Sequence, residues 1–146
     1  MNTWIIEAAS SIHAGNVAAH RHYSAQATDE DLKTYAAWVA AAMDRCIYIG
    51  RIATVGGDVI GGAGATIIEW GPTRGDPSPF RARLVNVYTH PSWRGRGIAT
   101  ALCTKVIEAV QSRNIKTLSL SSTTDSIRIY EQLGFRPYLT EMLLKL

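Results

Sequence analysis

Residues 89–100, THPSWRGRGIAT, decide how the chain is read. They follow a β-branched run, ARLVNVYT at residues 82–89, and lead into Ile98, Ala101, Leu102, Val106, Ala109 and Val110 at helical spacing. The segment is therefore a strand-to-helix junction. Gly95 and Gly97 let the backbone approach a ligand closely, and their amides converge with those of Arg96, Ile98 and Ala99 where the helix begins. Backbone N–H groups so placed attract anions. Arg94 and Arg96 add fixed positive charge at the same rim, where bidentate contact with phosphate is natural. A phosphate cradle is the reading this order of residues supports.

Two familiar anion loops do not fit. A dinucleotide fingerprint places G-x-G-x-x-G directly after the strand, whereas here Thr100 holds the sixth position and His90 to Arg94 intervene. The acidic residue expected about twenty positions on is also missing, Glu108 falling too early and Asp125 too late. A Walker A loop would end in G-K-[ST], which is absent.

Charge supports a local site. The chain carries a net +3 and a sequence pI near 9.0, yet residues 71–100 alone hold Arg74, Arg81, Arg83, Arg94 and Arg96 against Asp76. That one segment accounts for the whole excess, so an anion site explains the basicity better than a nucleic-acid-binding coat.

Outward from the junction, residues 3–8 read as a strand and residues 12–23 as a helix weakened by Gly15. Thr28 ahead of Asp29, Glu30 and Asp31 caps a second helix, Asp29 to Asp44. Residues 46–55 and 59–70 form a hairpin around Gly56-Gly57-Asp58. Gly61, Gly62 and Gly64 in its return strand signal a bulge or a close backbone approach. GPTRGDPSPF, residues 71–80, is a loop, and after the helix at 98–112 come a strand at 116–121, a short helix at 126–133 closed by Gly134, and a final strand at 138–146. A hairpin and meander followed by a right-handed β-α-β unit make a mixed α/β or α+β sheet.

The 146 residues amount to one domain, residues 1–146, and 47% hydrophobic with 18% charged residues excludes a disordered chain. No apolar run approaches the ~20 residues of a membrane span, and the N-terminus lacks a basic region before an apolar one. Cys46 and Cys103 are in no metal or disulfide spacing. A cytoplasmic protein without membrane, nucleic-acid or metal partners is expected.

Arg94-Gly95-Arg96-Gly97-Ile98-Ala99, after the strand ending Val87-Tyr88-Thr89-His90-Pro91, resembles the R/Q-x-x-G-x-G/A signature of the GCN5-related N-acetyltransferase (GNAT) superfamily. Ile129-Tyr130-Glu131-Gln132-Leu133-Gly134-Phe135 is similar to that family's L/F-Y-x-x-x-G-F ending. The resemblance covers nearly the whole chain and is strongest over residues 84–137. Departures are Thr89 where valine is common, STTDS at 122–126, where no asparagine or serine is clearly placed ahead of the tyrosine helix, and a short segment after Phe135 that leaves room only for a vestigial sixth strand.

The resemblance implies a mixed, mostly antiparallel sheet of six to seven strands with a splayed parallel pair and about four helices. It implies acetyl transfer from acetyl-CoA to a primary amine of a small molecule or protein, by direct attack through a tetrahedral intermediate. Val87, Tyr88 and Thr89 would hold the pantetheine arm by their backbone, and Arg94, Gly95, Arg96, Gly97, Ile98, Ala99 and Thr100 the pyrophosphate. An N–H near Val87 or Tyr88 would face the thioester oxygen. Tyr130 resembles the general acid; Asn86, itself no useful proton acceptor, would hold a water, and Glu69, His90 or bulk water would take the amine's proton. The alternative is a non-catalytic acyl-CoA-binding regulatory module on the same fold.

The remaining candidates carry bland readings. His90 before Pro91 is a structural cap, His13, His20 and His22 are solvated, and Trp4, Trp38 and Trp93 are packing anchors, as is Cys103. Glu7, Glu69 and Asp76 would attract a cationic amine, and the loop after Trp70 would contact the acceptor. A homodimer is the commonest symmetric assembly.

Overall fold

Gly56 and Gly57 have φ of +56° and +88°, as a two-residue type I′ turn requires, and they join strands β2 (Tyr48–Val55) and β3 (Asp58–Glu69). The computed structural model describes residues 3–23, 25–138 and 141–146. The other elements are β1 (Ile5–Ala8), α1 (Ala14–Arg21) after a 3-10 turn, α2 (Asp29–Asp44), β4 (Phe80–Thr89), α3 (Ile98–Gln111), β5 (Leu118–Ser119) and α4 (Ile127–Gln132). The sheet runs β1-β2-β3-β4-β5. Every pair is antiparallel except β4 with β5.

The mixed, mostly antiparallel sheet and four helices match the expectation, but the described residues hold five strands rather than six or seven. Only Leu118 and Ser119 of the strand expected at 116–121 pair, with Ala82 and Arg83. Of the final strand expected at 138–146, residues 139 and 140 lie outside the described residues, and Tyr138 and 141–146 carry no regular structure. A two-residue β5 is too short a ladder to hold a further strand of its own chain.

The two faces of the sheet bury different cores. Leu102, Cys103, Val106 and Val110 of α3 pack on Ile49, Ala53, Ala65 and Leu84. Full burial of a side chain such as Leu102 contributes about 2 kcal/mol. On the other face Val17 of α1 and Val39 and Ala42 of α2 close over Tyr48. The α2 cap is as the sequence indicates: Thr28 Oγ1 accepts from the Asp31 N–H at 3.1 Å and Asp31 accepts from the Thr28 N–H at 2.9 Å. Those hydrogen bonds lower the Asp31 pKa. No helix among the described residues is long and apolar enough to cross a membrane.

The glycines of β3 serve both expected purposes. A Cβ on Gly64 would collide with the Tyr48 ring, and one on Gly62 would lie 2.8 Å from His20 Nδ1. Between them the register slips: Val85 pairs with Gly64 and Tyr88 with Gly62, so Asn86 and Val87 both oppose Ala63. This is a β-bulge, and Asn86 takes the left-handed φ of +59° that asparagine tolerates better than most side chains.

Candidate active site

β4 ends at Thr89, and Pro91–Trp93 forms a 3-10 turn that His90 caps by accepting the Ser92 N–H on Nδ1 at 3.1 Å. His90 is thus the structural cap expected. Gly95 and Gly97 follow at φ +76° and +79°, and Gly97 is the N-cap of α3. No side chain caps this helix. The N–H groups of Ile98, Ala99 and Thr100 in its first turn therefore lack intrahelical acceptors. Nothing lies within 4 Å of the space beside either glycine. Arg96 stacks on Trp93, its guanidinium carbon 4.5 Å from the ring centroid. Arg94 stays exposed while its Nε donates to the Thr89 carbonyl at 3.0 Å, so that carbonyl is engaged rather than free.

The edge of β4 beyond Arg83 is open. β5 pairs only with Ala82 and Arg83, so the two strands part before Val87, as the expected splay requires. Val87 packs against the α3-side core. Thr89 Oγ1 is a buried hydroxyl with no partner among the described residues, an orphan that a ligand along this edge would satisfy.

On the other face, the bulge aims Asn86 into a polar cluster drawn from α1, α2, β2 and β4. Its Nδ2 donates to Tyr35 Oη at 2.8 Å and to Tyr48 Oη at 3.0 Å, while Oδ1 accepts from Arg21 at 3.2 Å. Arg21 also lies over the Tyr35 ring, 4.3 Å from its centroid. Burial pushes the Tyr48 pKa up, so its phenol stays protonated. Asn86 therefore holds two phenols and a guanidinium in place. The sequence reading missed this cluster because its members come from four separate elements.

Tyr130 sits on α4, edge-on to Phe135 at 6.0 Å between centroids, and Gly134 at φ +101° ends that helix as expected. Burial, with a smaller contribution from nearby Cys103, pushes the Tyr130 pKa up to about 12. The phenol is protonated at any physiological pH. Tyr130 and Val87 border the same core, joining α4 to the open edge of β4.

His20 corrects the solvated reading. It is 8% exposed and stacks on Tyr88 with centroids 4.6 Å apart, and burial lowers its pKa from 6.5 to about 4. The unfolded chain therefore binds a proton between pH 6.5 and 4 that the folded chain refuses. Stability present above pH 6.5 is lost as pH falls through that window, by on the order of 3 kcal/mol. Urea unfolding at pH 7 and pH 4.5 measures this loss, and His20→Gln is expected to shrink it.

The other candidates are dispersed. Glu7 lies in β1 at the far edge of the sheet, and Glu69 pairs with Phe80 at the opposite end of β4 from Thr89. Asp76 accepts the Ser78 N–H at 3.1 Å within its own loop. Trp70 is exposed under Arg81, whose guanidinium carbon is 4.9 Å from its centroid. Trp4 and Trp93 pack against the core, Trp38 stacks on Tyr35, and Cys103 is buried. No metal-binding cluster occurs among the described residues.

A family model for the acetyltransferase (GNAT) family matches residues 12–135, taking in the bulge, the cradle and Tyr130. The chain belongs to this family. A chloroplastic GCN5-related N-acetyltransferase 2 of Arabidopsis thaliana is 32% identical over 56 residues, 38% of this chain. The match spans only 22% of that relative's length. Among solved structures, a protein of Clostridium acetobutylicum described as a predicted acetyltransferase with acetyl-CoA superimposes with a TM-score of 0.89. It is 20% identical, covering 98% of this chain and 96% of that one. A GCN5-related N-acetyltransferase of Ralstonia eutropha JMP134 gives 0.86 at 25% identity, covering 99% of both chains. The aminoglycoside N-acetyltransferase AAC(6')-Iy in complex with CoA gives 0.79 at 18% identity, covering 99% of this chain and 95% of that one.

Proposed function

We propose that this protein is an N-acetyltransferase that moves the acetyl group of acetyl-CoA to a primary amine of a small molecule or peptide. One observation carries the reading: uncapped amides at the α3 N-terminus, under Gly95 and Gly97, adjoin a β4 edge that β5 leaves unpaired. The first suits a pyrophosphate. The second suits an extended arm bound as a strand would be. The orphaned Thr89 hydroxyl and the empty space beside both glycines fit such a ligand. Family membership and neighbours solved with acetyl-CoA or CoA support the same ligand.

Val87, Tyr88 and Thr89 line the arm, and Arg94 to Thr100 hold the diphosphate through backbone amides and two guanidinium groups. When bound, acetyl-CoA supplies its acetyl group as a thioester, whose exchange for an amine leaves a thiolate and one surplus proton. Tyr130 donates a hydrogen bond from Oη toward that sulfur. A thiol's pKa, ~8.5, lies below that of this phenol, so the proton is shared rather than surrendered. The proton released by the amine is then taken up by the thiolate, leaving CoA as its thiol and the acetylated amine. Asn86 acts as a positioning residue by orienting Tyr35 and Tyr48 on the acceptor side.

Calorimetric titration with acetyl-CoA, with NADH and ATP as anionic controls, tests the cradle. Selective micromolar binding followed by acetyl-CoA consumption over a panel of amines is expected. Equal binding of all three ligands would reduce the loop to a basic turn, and tight binding without turnover would favour the regulatory alternative.

A further inference from the structure

Arg21, the last residue of α1, is exposed and yet held in place. Its Nη1 donates to Tyr35 Oη and to Asn86 Oδ1, each at 3.2 Å, and the guanidinium carbon lies 4.3 Å from the Tyr35 ring centroid. Both protons of Nη1 are thereby used. Nε and Nη2 remain as one edge of the fork, with no hydrogen-bond partner among the described residues. Such an edge takes a carboxylate in two parallel hydrogen bonds. No ion pair engages Arg21 among the described residues. The acid one turn before Tyr35, Asp31, is spent on the α2 cap. Glu7, Glu69 and Asp76, the acids expected to draw in a cationic acceptor, lie elsewhere.

This edge stands beside the reacting position. Asn86 directly precedes Val87, whose backbone would hold the arm. The side chains of Asn86 and Tyr88 both face α1, whereas Val87 packs toward α3 and its cradle. An amine approaching Val87 from the α1 face therefore meets Arg21, with the rings of Tyr23 and Tyr88, 4.9 Å apart, as a wall. Arg94 borders the same approach, its guanidinium carbon 5.6 Å from the Tyr23 centroid.

Resting on the acetyl-transfer reading, we propose that the acceptor is an amino acid, a small molecule carrying a carboxylate as well as its primary amine, with that carboxylate seated on the Nε–Nη2 edge of Arg21. Arg21 is tied through Asn86 to the residue next to the thioester, so only a few bonds separate the two groups of the acceptor. A second ammonium in place of the carboxylate would face a guanidinium and be repelled. Asn86 and Tyr35 order the arginine before the ligand arrives, which lowers the entropic cost of binding.

Glycine, β-alanine and γ-aminobutyrate, each compared with its own amide, test this. Each pair shares the chain and the amine and differs only in the distal charge. Binding is read by NMR titration of the nitrogen-15-labelled protein without acetyl-CoA, and transfer by acetyl-CoA consumption. At least one amino acid is expected to exceed its amide about 30-fold in both, the usual worth of charge-assisted hydrogen bonds. In Arg21→Gln, checked for folding by far-UV circular dichroism, that ratio is expected to fall to about 1. Amides bound and acetylated as well as the amino acids, or a preference that survives Arg21→Gln, would overturn the proposal and leave acetyl transfer standing. Preference for 2-aminoethyl phosphate over every amino acid would overturn the carboxylate assignment. Selective binding with no acetyl-CoA consumed by any amine would overturn the acetyl-transfer reading, and the acceptor role with it.

Discussion

Gly97→Glu is expected to abolish acetyl-CoA binding, raising the dissociation constant at least about 100-fold in calorimetry. Two effects act together. Gly97 occupies φ +79° as the N-cap of α3, a conformation that costs an ordinary side chain about 1–2 kcal/mol. A carboxylate there also meets the anion that the first-turn amides would hold. The strain lowers Tm by about 3–6 °C, too little to unfold the protein, so binding and folding separate in the data. Gly97→Ala introduces the strain without the charge and should weaken binding by only about 10-fold, with a similar fall in Tm. Equal binding losses in the two variants would mean that backbone shape alone, rather than anion binding, was measured.

Tyr130→Phe is expected to lower kcat by about 100-fold, the lower range of general-acid effects, while acetyl-CoA affinity stays near that of the parent. The substitution keeps the ring that packs on Phe135 and removes only the hydroxyl. Because burial holds the Tyr130 pKa at about 12, the phenol does not titrate between pH 7 and 10. The variant should therefore lose rate equally across that range, leaving the shape of the pH profile unchanged. A loss seen only through KM, or one that grows toward alkaline pH, would place the hydroxyl in binding instead.

Contiguous features were legible in the sequence because their physics is local. RGRG between a β-branched run and a helical period had one structural meaning, and Thr28 ahead of three acids had another. Both are found in place. Asn86, by contrast, draws its meaning from Tyr35, Tyr48 and Arg21, and nothing in residues 82–89 announces partners on α1, α2 and β2. His20 was misread for a related reason. Its burial depends on Gly62 lying opposite with no side chain, a fact of strand register that helical spacing does not contain. The strand expected at 138–146 failed differently. A short apolar segment becomes a strand only where a ladder is available, and β5 pairs through only two residues.

Spatial order in the sheet repeats chain order from β1 to β5. Each of β2, β3 and β4 thus adds to an edge made by the strand synthesised before it. Local pairing such as the β2–β3 hairpin is fast, and chains emerge at only about 5–20 residues per second. Gln111 is added to the chain before Tyr130, so the residues proposed to face a diphosphate are all made before the proposed acid.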